Sequence, residues 1–183
     1  MIEWKSADYT LYNGTIAPSG VSIRLGDINQ GSADAQHVGD KIWLSSQTFA
    51  WEIGQADPNQ SVNMLLLRVP GLAAGATPPL LSDIYSNFSI ERSLKTLFYD
   101  TDKFRAYKWK VKWTYTRTIN RVDPNLNKIW AGRKKVQLRH SQQYISGSAI
   151  AGSPYILYVW TNTGTTTADV FLYLKSRIVY NDL

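Results

Sequence analysis

The sequence contains no cysteine, which excludes disulfides, thiolate metal sites and a cysteine nucleophile. It has two histidines, His37 and His140, too few for a histidine-built metal centre and sparse for general acid–base chemistry. No apolar run reaches the ~18 residues of a membrane span, so no membrane partner is expected. The opening MIEWKSADYT lacks the basic start and apolar stretch of a signal peptide. Nucleophile elbows, Walker loops, dinucleotide fingerprints, HExxH and EF-hand loops are missing too. No enzyme activity and no cofactor are therefore expected. Nor is there a repeat, a heptad or a low-complexity tract.

What the chain has is aromatic residues, 13% of the total with seven Trp and eleven Tyr, within a hydrophobic share of 44%. That suffices for a large core, argues against intrinsic disorder and favours strands. The 183 residues suit one domain, 1–183, with 1–19 as an extended N-terminal segment.

Turn-rich breaks divide the chain into eight predicted strands. These are Val21–Leu25, Lys41–Ile53, Val62–Val69, Leu97–Tyr99, Phe104–Ile119, Lys134–Tyr144, Pro154–Trp160 and Val170–Tyr180. In the second, Trp43, Ser45, Gln47, Phe49, Trp51 and Ile53 share one face, and the third is a near-continuous apolar run suited to a central strand. Pro78 and Pro79 introduce a short helix through Leu80, Leu81 and Ile84, and TNTGTTTAD makes a hairpin-like link between the last two strands. Long, uneven connections favour strands that cross between two sheets. The expectation is all-β: an eight-stranded antiparallel jelly-roll sandwich with one or two short helices in loops.

Charge is unevenly placed. Residues 1–90 hold four Lys/Arg against eight Asp/Glu, whereas 91–183 hold sixteen against six. Fourteen of the basic residues lie between Arg92 and Arg139, a local field that attracts nucleic acid or other polyanions. Read as one strand, FRAYKWKVKWTYTRTI puts Arg105, Tyr107, Trp109, Val111, Trp113 and Tyr115 on one face. Lys108, Lys110 and Lys112 then stand ~7 Å apart on the other. In the next strand Arg133, Lys135, Gln137 and Arg139 oppose Val136 and Leu138. Two cationic strand faces result, each either a polyanion surface or a solvated sheet face. Trp109 and Trp113, opposite the lysines, read as core rather than as a base-stacking platform.

Other residues offer less. Asp100 and Asp102 are the nearest approach to a catalytic carboxylate pair, and read more simply as the end of a turn before Lys103 and Arg105. His140, beside Arg139, reads as a structural histidine.

The order of segments resembles a known family. IRLGDINQGSADAQHVGDKIWLSS, from Ile23 to Ser46, is similar to the early region of single jelly-roll capsid proteins of small circular single-stranded DNA viruses, and to the satellite tobacco necrosis virus coat protein. Ile28, Gln30 and Gly31 match an I-x-Q-G turn, and Val38, Gly39 and Asp40 the step into the next strand. LFYDTDKF (Leu97–Phe104) and Ser176–Asp182 resemble later segments of circovirus-like capsids. The resemblance implies a jelly roll that assembles with its own copies, commonly sixty, into an icosahedral shell around a single-stranded genome, and hence a virion location. Lys108, Lys110, Lys112, Arg133, Lys135 and Arg139 are the residues expected to meet nucleic acid. Residues 1–10 hold only Lys5, a departure from the arginine-rich arm with which such capsids usually begin. A lectin-like jelly-roll module, with exposed Trp and Tyr stacking on sugars, is the alternative.

Overall fold

A computed structural model describes residues 4–32, 35–55, 60–119, 129–146, 149–152, 154–162 and 170–183. Nine strands lie in these segments: β1 Lys5–Thr15, β2 Val21–Leu25, β3 Lys41–Gln55, β4 Gln60–Arg68, β5 Lys110–Ile119, β6 Ile129–Ser146, β7 Ala149–Ala151, β8 Tyr155–Asn162 and β9 Val170–Asp182. They form two sheets, ordered β1-β9-β3-β6-β7 and β2-β8-β4-β5. First pairs with last (β1 with β9), second with penultimate (β2 with β8), then β3 with β6 and β4 with β5, all antiparallel. A long hairpin ribbon wound in this way across two sheets is a jelly roll, and the short β7 extends one edge.

The strand list differs from expectation at its ends and middle. The segment before Val21 is a full strand, β1, zipped onto β9. Leu97–Tyr99 is not a strand; Tyr99 makes an isolated bridge to Tyr85. β8 and β9 belong to different sheets and so do not pair as a hairpin; residues 163–169 between them lie outside the described residues.

Between the sheets the core is built from alternating positions: Ile42, Leu44, Phe49, Trp51 and Ile53 of β3, Leu172, Leu174, Ile178 and Tyr180 of β9, and Val62, Met64 and Leu66 of β4. Tyr155, Leu157 and Val159 of β8 complete it. Gln47 shares this interior and donates from Nε2 to Ser176 Oγ at 3.2 Å. Glycine at 132 is dictated by packing, because a Cβ there would lie 2.5 Å from the Trp51 indole.

The other faces of β4 and β8 are apolar as well. Leu65, Leu67, Val69, Ile156, Tyr158 and Trp160 pack under Leu81, Ile84, Tyr85, Leu97 and Trp109 from the long β4–β5 connection. That connection folds as α1 Leu81–Ile84, a 3-10 turn at Leu94–Thr96 and α2 Thr101–Tyr107. Burial on both faces explains why VNMLLLRV and YILYVW read as unbroken hydrophobic runs. The Asp83 carboxylate accepts from the Leu80 amide at 3.0 Å and from Lys103 Nζ at 2.8 Å, tying α1 to α2.

The predicted strand Phe104–Ile119 is therefore part helix. Asp100 is the N-cap of α2, accepting from Lys103 N at 3.0 Å, and Lys108 closes the helix in the left-handed region at φ 54°. A side-chain cap at the first turn and a charged residue of each sign at the appropriate end favour helix. These local signals outweigh the period-two alternation of FRAYKWK.

Two register shifts then reverse side-chain direction. On β5, Leu66 faces Trp113 while Leu67 faces Val111, so the ladder skips at Lys112. Trp109 thus packs under the insertion while Trp113 and Tyr115 pack between the sheets. On β3 the shift lies between Leu44 and Ser46. Gln47, Phe49 and Trp51 point inward as expected, but Trp43 is exposed on the opposite side.

Candidate nucleic-acid interface

The two sheets present different outer surfaces. In the four-stranded sheet β4 and β8 are roofed by the insertion while β5 is exposed, whereas the outer face of β1, β9, β3 and β6 carries mainly polar and charged side chains. Its layout follows from the register. Lys175 of β9 and Arg133 of β6 both stand opposite Ala50 of β3, and Arg177 and Lys135 both stand opposite Thr48. All four cations are exposed. Adjacent strands are ~4.8 Å apart and same-face residues ~7 Å apart along a strand. The cations therefore form two walls ~10 Å from each other across a floor of small side chains. The depression over this floor has a volume of about 480 Å³ and is lined by Asp8, Thr48, Ala50, Arg133, Lys175 and Arg177 among others.

Electrostatics on this face are partly self-compensated. Asp8 accepts from Arg177 Nε and Nη2, each at 2.7 Å, in a bidentate pair. The guanidinium holds the Asp8 carboxyl below its usual range, and Asp8 in turn raises Arg177. Lys175 lies 5.3 Å from the centre of the Tyr173 ring, and the tyrosine raises its ammonium pKa, so both β9 cations remain charged at neutral pH.

Asp8 competes with any bound polyanion for Arg177. Asp8→Asn is therefore expected to tighten polyanion binding ~2–5-fold at neutral pH, the scale of an exposed ion pair, as read by titration with labelled oligonucleotide. Because the folded carboxyl is depressed, the pair persists above the ordinary carboxylate range and is lost as pH falls through the lowered value. The difference between wild type and variant should shrink in that acid window.

The six basic residues expected from the sequence do not share one surface. Arg133 and Lys135 lie on the outer sheet face as read, with Val136 and Leu138 buried beneath. Arg139, exposed, sits at the β3–β6 register shift with φ 47°. Lys108, Lys110 and Lys112 are exposed but belong to the other sheet: the α2 cap, the start of β5 and the β5 irregularity. They form a cationic edge rather than one row on a strand.

Sequence reading missed Lys175 and Arg177. Their signal was present, since Phe171, Tyr173, Lys175 and Arg177 alternate with the buried Leu172, Leu174, Ser176 and Ile178.

The remaining candidates have structural roles. Asp100 caps α2, and Asp102 is an exposed residue of its first turn. His37 is buried and stacked on Tyr144 with centroids 4.0 Å apart, and His140 meets Tyr155 edge-on at 5.7 Å. The I-x-Q-G segment folds back on His37, with Gly31 N donating to His37 O at 2.9 Å. Among the described residues no group of three or more His, Asp or Glu could hold a metal, and no helix is long and apolar enough to cross a membrane.

No family model matches the sequence, and no curated protein is similar to it by sequence. Among solved structures the chain is similar to the tobacco streak virus coat protein, with 8% identity over 98% of this chain and 85% of that one and a TM-score of 0.41. It is similar to a Desmodium yellow mottle tymovirus chain, with 10% identity over 100% and 81% and a TM-score of 0.40. A third similarity is to infectious bursal disease virus VP2 of the subviral particle, with 8% identity over 98% and 33% and a TM-score of 0.33. Identities this low give no residue-by-residue correspondence.

Proposed function

We propose that this chain is a viral coat protein, a non-enzymatic jelly-roll subunit that assembles with its own copies into a closed shell and holds single-stranded nucleic acid, DNA by the resemblance, on cationic surface. The observation that carries this reading is the asymmetry of the two sheets. One has its central strands, β4 and β8, covered by its own insertion. The other offers a bare face with four cations in a two-by-two grid. Backbone contacts of that kind are sequence-independent and salt-sensitive, which suits packaging. Lys108, Lys110, Lys112 and Arg139 supply further cationic surface at the edges.

Assembly is supported by apolar side chains left on the surface. Trp4, Val38, Trp43, Ile145 and Leu183 are all exposed. Trp43 is paired with Asn181 and Lys41 with Gln143, so several of them meet at one end of the five-stranded sheet. Exposed aromatic and aliphatic groups clustered in this way favour subunit contact.

The test is mass. Sixty subunits of 20.7 kDa make a particle of about 1.2 MDa, and light scattering behind size exclusion should find an assembly of that order. A stable monomer would remove the coat-protein reading.

A second reading, a glycan-binding module, is favoured by one observation. Tyr107 is 58% exposed and stacks on Trp109 beside a cleft that also holds Asp83 and Lys103. A monomer that binds glycan without salt dependence would support it.

A further inference from the structure

The trough over β3 continues beyond the cation grid, and its character changes there. The next row places Tyr173 and Ala131 on either side of Glu52, and the one after it places Phe171 and Ile129 on either side of Gly54. Gly54 has no side chain to fill the floor. Among the described residues Phe171 is 46% and Ile129 68% exposed, so an aromatic ring and an aliphatic chain flank the strip over Gly54.

The trough is thus segregated along its length. Over Thr48 and Ala50 its walls are cationic. Over Glu52 and Gly54 they are apolar, and the Glu52 carboxylate repels phosphate. Lys175, held against the Tyr173 ring at 5.3 Å, marks the boundary. A ligand that fits both sections needs anionic groups and flat apolar faces a few ångströms apart on one flexible chain. Single-stranded nucleic acid has both, and aromatic rings beside a basic groove are how such strands are gripped without regard to sequence. A duplex keeps its bases enclosed and has no face to offer Phe171. A sulfated glycan or an acidic peptide would use the cations and leave the ring unused.

We infer that this face takes single-stranded nucleic acid in preference to duplex, with phosphates between Lys175/Arg177 and Arg133/Lys135 and a base stacked on Phe171. The inference rests on the nucleic-acid reading proposed above and adds where the strand lies and which residue discriminates it from duplex. Phe171 contributes by stacking, and Tyr173 positions Lys175.

The test uses the intact protein with three probes in anisotropy titrations: a labelled oligothymidylate of roughly 16 residues, a duplex of equal length, and heparin, which is polyanionic but has no bases. Phe171→Ala should weaken oligothymidylate binding about tenfold, the scale of one base stack, and leave duplex and heparin unchanged. Phe171→Trp should restore it. Lys175→Gln with Arg133→Gln should weaken all three probes and flatten their salt dependence. If Phe171→Ala changes nothing, or weakens heparin equally, the stacking assignment is overturned while the polyanion face stands. Should the wild type bind none of the three probes, the polyanion reading fails and takes the inference with it.

Discussion

Trp160→Ala is expected to cost ~3–5 kcal/mol of folding stability, the range for deleting a buried indole, and to lower the melting temperature by roughly 6–20 °C in a chain of this size. Trp160 is fully buried on the outer side of β8, within the cluster that joins Leu65 and Leu67 to the 70–109 insertion. Its ring lies 6.1 Å from that of Tyr85, which stacks on Tyr99. Removing it leaves a cavity where the roof meets the sheet, and nearby rings cannot close it without losing their own contacts. Calorimetry or chemical unfolding at fixed protein concentration reads the effect. Phe98→Ala, at a 70% exposed position, should stay within ~0.5 kcal/mol. A loss below ~1 kcal/mol for Trp160→Ala would mean that the insertion does not cover the sheet. That cover takes the outer faces of β4 and β8 out of contact with a ligand, whereas Thr48, Ala50 and the four cations of the five-stranded sheet stay uncovered among the described residues.

Replacing Arg133, Lys135, Lys175 and Arg177 together by Gln is expected to have the largest effect on binding. Affinity for a single strand should fall on the order of a hundredfold at physiological ionic strength, and the slope of log affinity against log salt should flatten by ~2.8, four contacts at ~0.7 each. All four side chains are exposed on strand interiors, so folding should be nearly unaffected. The companion variant, Lys108→Gln with Lys110→Gln and Lys112→Gln, should show a smaller loss, because those lysines sit along one edge of the other sheet without an opposing cationic wall. A larger effect from the lysine variant than from the grid variant would move the interface to β5.

Much of the architecture is legible in the sequence, and the parts that are not have local causes. Val21–Leu25 coincides with β2, and the apolar runs of β4 and β8 point to strands buried on both faces. The basic excess after residue 91 is plain in the sequence, and all four cations of the grid fall within it. FRAYKWK, however, alternates as a strand should and is helical up to Tyr107, because Asp100 caps that helix and Lys108 ends it in a left-handed turn. The shifts beside Lys112 and Ser45 each reverse a face, so Trp109 and Trp113, or Trp43 and Gln47, look in opposite directions. A one-residue bulge leaves no mark in composition. The cation grid is invisible for another reason. It joins β6 to β9 across β3, and only the sheet order places Lys175 beside Arg133.

The most direct test of the account is negative-stain imaging of purified wild-type and four-cation variant protein, with the ratio of absorbance at 260 and 280 nm for each. The account predicts uniform closed shells from both, with a raised ratio for the wild type that falls to the protein value in the variant. Discrete monomers, or shells whose nucleic acid content is the same in both, would contradict it.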